Sequence, residues 1–249
     1  ILNRYAIPYR DLNAHLGPAT IIPHKDGEPL LNKRLPEYLR LVPPEFKIDI
    51  YTHGLLLPKW RERGEDFIGV LGSLPNQCRI LISFHFYNFD GSTNDYAATT
   101  MLLHELFAGP KERQPRNVEF ILASHLIRPM TKERLDEWKA TWQPYASAGR
   151  VTVHANVCIN PWTGLIDEPG TVEFHGCPYA EFGHMFFGAT GNVVACCMDL
   201  EEEIVFGNVM ENDPALREVA TFEPLFSRVN TLEPDHATLW AHAKGSTRS

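Results

Sequence analysis

The sequence predicts an α/β fold: a parallel open sheet or barrel followed by a small C-terminal extension that carries a β-hairpin. Three observations predict it. Five short apolar runs rich in β-branched residues recur between Ala19 and Ala155. Segments with apolar residues every three or four positions lie between them. Past about residue 156 the alternation stops and a Pro- and Gly-rich stretch begins.

The expected strands are Ala19–His24 (ATIIPH), Lys47–Thr52 (KIDIYT), Arg79–Phe84 (RILISF), Val118–Ala123 (VEFILA) and Val151–Ala155 (VTVHA). Short continuous apolar runs suit parallel strands covered by helices. Asn32–Leu41 reads as a helix with Leu35, Leu39 and Leu41 near one face. Thr93–Phe107 spaces Tyr96, Thr100, Leu103 and Phe107 at helical intervals, and Thr131–Tyr145 does so with Leu135, Trp138, Trp142 and Tyr145. Thr131, just after Pro129 and Met130, suits a helix N-cap. Alternating strands and helices imply right-handed βαβ units, hence a parallel open sheet or barrel. Asn160–Gly170 reads as a linker. His184–Phe187 and Asn192–Cys196, joined by Gly188–Gly191, read as a β-hairpin.

The chain has 249 residues, 44% hydrophobic and 22% charged, which suits a globular protein able to bury a core without disulfides. Its net charge of −8, with no Lys/Arg run, argues against nucleic acid as the main partner. No apolar stretch approaches the ~20 residues of a membrane span. The N-terminus lacks the basic-then-apolar layout of a signal peptide, so a cytoplasmic home is expected. The five cysteines are an odd number, which speaks against a secreted disulfide framework. The chain starts at Ile1 without Met, and part of a longer or processed protein is expected.

Asp26-Gly27-Glu28-Pro29 falls at the C-terminal end of an expected strand, the edge where parallel α/β sheets bind ligands. Glycine lets backbone approach a ligand. The Glu28 carboxylate either pairs with an ammonium group or merely caps the next helix. Later strands end in Thr52-His53-Gly54, in Ser83-Phe84-His85, and in Ser124-His125 leading to Arg128. Polar groups thus recur at one edge of successive strands, and together with Glu28 they suggest a site there.

GEPLLN at Gly27–Asn32, followed by IDIYTHGLLL at Ile48–Leu57 and RILISFHFYNFDG at Arg79–Gly91, resembles the radical S-adenosylmethionine (SAM) family over roughly residues 15–210. The resemblance implies a partial (β/α)6 barrel as a core at 1–158 and a small β-hairpin and helix extension at 159–249. It implies SAM contacts from Gly27, Glu28, Pro29, Thr52, His53, Ser83, His85 and Arg128. Glu28 would hold the methionine ammonium and Arg128 the carboxylate; His53 stands where the family has an Asn. The implied chemistry is cleavage of SAM by a reduced [4Fe–4S] cluster to a 5′-deoxyadenosyl radical. That radical abstracts hydrogen from a peptide or small-molecule substrate, with an external electron donor. The family's CxxxCxxC cluster motif is absent from the chain. In the family it lies upstream of GEP, so it is expected before Ile1.

Cys177 before the hairpin, and Cys196 and Cys197 at its end, resemble the start of a SPASM or twitch extension, which implies an auxiliary [4Fe–4S] cluster. Thiolates are the preferred iron–sulfur ligands. A fourth ligand would come from Asp199, a His, Cys158 or the substrate. Three rival readings stand beside this one. Cys177, Cys196 and one of His175 or His184 suit a mononuclear zinc site. Cys196 and Cys197 also suit plain burial, with the chain a non-catalytic homologue that binds a peptide or protein. His53, His85 and His125 suit a zinc hydrolase of barrel form. Cys78 reads as core.

Overall fold

The computed structural model describes residues 20–23, 27–87, 92–125, 131–156, 186–188, 190–194, 202 and 205–208. The chain divides into two compact units, one spanning Leu12–Ile159 and the other mainly Asn160–Ser249.

The first unit is a five-stranded parallel sheet in the order β1 (Thr20–Ile21), β2 (Lys47–Thr52), β3 (Cys78–Phe84), β4 (Val118–His125) and β5 (Thr152–Asn156). Its helices are α1 (Leu35–Leu39), α2 (Leu57–Glu62), α3 (Phe67–Ser73), α4 (Ala97–Ala108) and α5 (Lys132–Ser147). The sequential order of parallel strands is that of the expected barrel. Among the described residues the sheet is open, with β1 and β5 at its edges.

Side-chain alternation explains the layering. Along β3, Cys78, Ile80, Ile82 and Phe84 are buried, while Arg79, Leu81 and Ser83 are half-buried. Phe84 meets Trp138 and Trp142 of α5, with ring centroids 5.5 and 5.9 Å away. The Cys78 thiol lies 3.8 Å from the Leu71 carbonyl at α3. Ile48, Ile50, Ile80, Ile82 and Leu122 are fully shielded from solvent. Each such side chain stabilises the fold by about 1.5–3 kcal/mol relative to exposure. On the other face Asp49 pairs with Arg79, its neighbour in register, and Tyr51 donates to Asp49 at 3.4 Å.

Two asparagines tie the N-terminal rim of the sheet. The Asn76 amide donates to the carbonyls of Pro43 and Phe46 at 2.8 and 2.9 Å. The Asn117 amide donates to those of Leu71, Leu74 and Asn76 at 3.0, 3.0 and 2.9 Å.

Several expected elements change at their ends. β1 is two residues long. Leu41 falls beyond α1 and is exposed. α4 starts at Ala97, not Thr93, because Thr93 bridges to Tyr87 and Asn94 donates to the His85 carbonyl at 2.7 Å. Thr99 rather than Thr100 is its buried threonine. Thr131 does cap α5, accepting from the Arg134 N–H at 3.3 Å. No helix among the described residues is long and apolar enough to cross a membrane.

The second unit holds an antiparallel sheet in the order β6 (Phe186–Phe187), β7 (Asn192–Val194) and β8 (Val205–Asn208). The expected hairpin is present, and β8 adds a third strand. The turn closes through Gly188 N–H to Asn192 O at 2.8 Å, with Gly191 at φ +88°. Glu202 accepts from Thr190 and the Asn192 amide at 3.0 and 2.7 Å, and Asn208 donates to the Asn192 side chain at 2.8 Å.

Candidate functional site

The site begins where β2 ends. Thr52 is the last strand residue, and Gly54 turns the chain at φ +79°. A Cβ on Gly54 would lie 2.6 Å from Ile82 Cγ2, so the close packing and the left-handed backbone both require glycine there. Thr99 of α4 fixes the turn by donating to the Gly54 carbonyl at 3.1 Å.

Gly27, also left-handed at φ +81°, delivers Glu28 to this turn. Pro29 opens a 3-10 turn, Pro29–Leu31, at the position where its missing N–H is harmless. Trp60 of α2 secures that turn, its indole N–H donating to the Leu30 carbonyl at 3.0 Å.

Glu28 is the centre of the network, with its side chain 6% exposed. Oε1 accepts from the Leu30 N–H at 2.9 Å and from the Thr52 hydroxyl at 2.7 Å, and that hydroxyl also lies 2.9 Å from Oε2. Oε2 accepts from the His53 N–H at 3.0 Å and lies 3.1 Å from His53 Nε2. His53 Nδ1 accepts from the Leu55 N–H at 3.4 Å. An imidazole accepting at Nδ1 carries its proton at Nε2, so the neutral ring donates to Glu28. The capping reading of Glu28 is therefore fulfilled, and the same carboxylate ties the 3-10 turn to the end of β2, 24 residues further on in sequence. A buried carboxylate needs such donors.

The next strand end is organised separately. His85 is exposed, and its Nε2 lies 2.9 Å from Ser83 Oγ. Its backbone is pinned on both sides: the His85 N–H donates to Tyr96 Oη at 2.9 Å, and its carbonyl takes the Asn94 amide. Burial pushes the Tyr96 phenol up to about 12, and the Glu28 charge adds to the rise. Tyr96 thus touches the His85 strand end and feels the Glu28 carboxylate.

Of the expected contacts, Glu28, Thr52 and His53 come together with Gly27 and Pro29, and Ser83 pairs with His85. Arg128, Cys177, Cys196 and Cys197 lie outside the described residues, as do Cys158, His175, His184 and Asp199. Tyr96, Asn94, Thr99 and Trp60 are supporting residues that the sequence did not single out. Tyr96 and Thr99 sit within a helical repeat, and nothing in that spacing marks a hydroxyl for a strand end. Among the described residues no group of three His, Cys, Asp or Glu side chains is placed to hold a metal ion. His53 turns to Glu28 and His85 to Ser83, and the side chain of His125, the third histidine of the zinc-hydrolase reading, lies outside the described ones.

A parallel α/β protein with a buried carboxylate seated at the end of β2 is the class that fold and site define. Residues 177–230 match the family model of SPASM, an iron–sulfur cluster-binding domain. The match begins at Cys177 and includes Cys196, Cys197 and the three strands of the second unit. It indicates iron–sulfur cluster binding, typical of radical SAM enzymes. No curated protein and no solved structure matches the chain.

Proposed function

We propose that the chain acts in a radical SAM enzyme with an auxiliary iron–sulfur cluster. The SPASM match over residues 177–230 carries this reading. Cys177, Cys196 and Cys197 would supply thiolates to a [4Fe–4S] cluster, and thiolates suit iron over hard cations. The first unit would bind SAM at the C-terminal edge of its parallel sheet, where open α/β sheets hold ligands. Glu28 supports that assignment as a buried carboxylate seated against the end of β2. Its part would be to hold the methionine ammonium; Ser83 and His85 would face the ribose or methionine, and Arg128 would take the carboxylate.

When bound, SAM and its reduced cluster supply the 5′-deoxyadenosyl radical that abstracts hydrogen. The protein's own groups orient the ligand and exclude water. The substrate is a peptide or a small molecule, an external donor supplies electrons, and the setting is the reducing cytoplasm.

The test is anaerobic reconstitution of the full reading frame with iron and sulfide. Iron, zinc and labile sulfide per chain are then measured for the wild type, Cys177→Ala and Cys196→Ala. Iron and sulfide that fall in part in both variants are expected. Iron unchanged by the substitutions removes the auxiliary site. Protein that takes up zinc and no iron sinks the radical reading and leaves the mononuclear zinc site in its place.

A further inference from the structure

We propose that the His53 imidazole is the exchangeable occupant of Glu28, and that an ammonium ligand enters by displacing its Nε2–H from Oε2. The inference rests on the reading that Glu28 receives a ligand ammonium. It adds that His53 competes for that place and so sets the affinity.

A carboxylate offers about four acceptor positions. Glu28 fills them with the Leu30 N–H, the Thr52 hydroxyl, the His53 N–H and His53 Nε2. Two of these donors are backbone amides fixed by the 3-10 turn and by the chain leaving β2. The third is the hydroxyl of Thr52, which is 4% exposed and also accepts from the Gly54 N–H at 3.0 Å. None of the three can leave without opening the turn. The imidazole differs on both counts: it is a side chain free to change rotamer, and it is 36% exposed. Its longer bond, 3.4 Å from the Leu55 N–H, adds little restraint.

The exchange also has a direction. A neutral imidazole N–H gives way to an ammonium, whose charge strengthens its hydrogen bond to a carboxylate. The ligand class is therefore a primary ammonium presented at the strand edge. A neutral amide or alcohol would gain no such advantage over the ring.

The experiment measures binding, not turnover. Anaerobic, cluster-loaded full-length protein is titrated calorimetrically with S-adenosylhomocysteine, and with the analogue that carries hydrogen in place of the amino group. Wild type, His53→Ala and Glu28→Gln are compared. His53→Ala should bind S-adenosylhomocysteine roughly ten- to a hundredfold more tightly, the size of one hydrogen bond to a charged carboxylate, with no change for the desamino analogue. Affinity that falls or stays level in His53→Ala, while Glu28→Gln weakens S-adenosylhomocysteine, overturns the competition alone. Affinity unchanged in Glu28→Gln overturns the ammonium reading and the competition with it, as does absence of binding throughout. Nitrogen-15 labelling of histidine gives a readout that needs no variant. The His53 Nε2 resonance should move on adding S-adenosylhomocysteine and stay in place with the desamino analogue; an unmoved resonance with both refutes the exchange.

Discussion

Replacing Thr52 with valine isolates the hydroxyl on which the strand-end network depends. The two side chains have nearly the same shape and both favour strands, so β2 itself is left intact. What disappears is one donor and one acceptor. The hydroxyl donates to Glu28 at 2.7 Å and accepts from the Gly54 N–H at 3.0 Å. A hydrogen bond to a charged group contributes about 1.5–3 kcal/mol and a neutral one about 0.5–1.5 kcal/mol. Burying a methyl normally returns about 0.8 kcal/mol, but here it would face a carboxylate and an amide, so little of that offset is realised. Thr52→Val should therefore lose about 2–4 kcal/mol of stability. Urea unfolding followed by tryptophan fluorescence reads this directly, since Trp60, Trp138 and Trp142 are all buried in this unit. The midpoint should fall with the slope unchanged. Thr52→Ser, which keeps the hydroxyl, should lose less. A Thr52→Val midpoint equal to wild type, or a serine variant as weak as the valine one, would refute the reasoning.

Two further outcomes test the same region. Gly54→Ala combines left-handed strain of about 1–2 kcal/mol with overpacking against Ile82 of about 1–3 kcal/mol, and its melting temperature should drop sharply. Gly64 has the same φ of +79° but open space around it, so Gly64→Ala should show the strain alone; equal losses in the two variants would contradict the packing argument. The second outcome concerns alkaline pH. Burial raises the Cys78 thiol from 9.0 to about 11, with the Asp49 charge adding to it. The unfolded thiol then ionises first, so this contribution is complete below pH 9 and is lost as pH rises towards 11. Tyr96, raised from 10.0 to about 12, extends the loss upward. Urea midpoints should fall across this window in the wild type, and less steeply in Cys78→Ala; parallel curves would remove Cys78 as a cause.

The sequence was most informative where buried β-branched residues alternate along a run. β2 has the bounds read from KIDIYT, and β3, β4 and β5 differ from expectation by one or two residues. α2 and α3 went unread because Pro58, Gly64, Gly69 and Gly72 resemble loop punctuation. The structure gives them helical uses. Pro58 lies in the first turn of α2, where proline is tolerated, and Gly72 lets α3 approach Pro115, which a Cβ would meet at 2.7 Å. β8 was missed because four residues with a central glycine carry little strand signal. At the site, the rule that ligands gather at one strand edge drew attention to Glu28, Thr52 and His53, but not to the bonds among them. The imidazole bond to Oε2 did not follow, since a rotamer leaves no periodic trace in a sequence. Tyr96 was read as a residue within the helix but sits at its N-cap, and the destination of its hydroxyl depends on the Tyr87–Thr93 bridge that delays α4.

The asparagine ties at the N-terminal rim bear on how this fold tolerates change. Asn76 and Asn117 together engage five carbonyl oxygens, and all five belong to the main chain. A backbone carbonyl is present whatever side chain its residue carries. The rim's demand for particular amino acids is thereby concentrated in two positions, and the residues lending their carbonyls can be exchanged wherever packing allows. At the opposite rim the burden is reversed. Glu28, Thr52 and Gly54 each contribute something that only their own side chain, or its absence, can supply. Substitutions that keep the packing should be tolerated at one end of the strands, outside the two asparagines, and be resisted at the other.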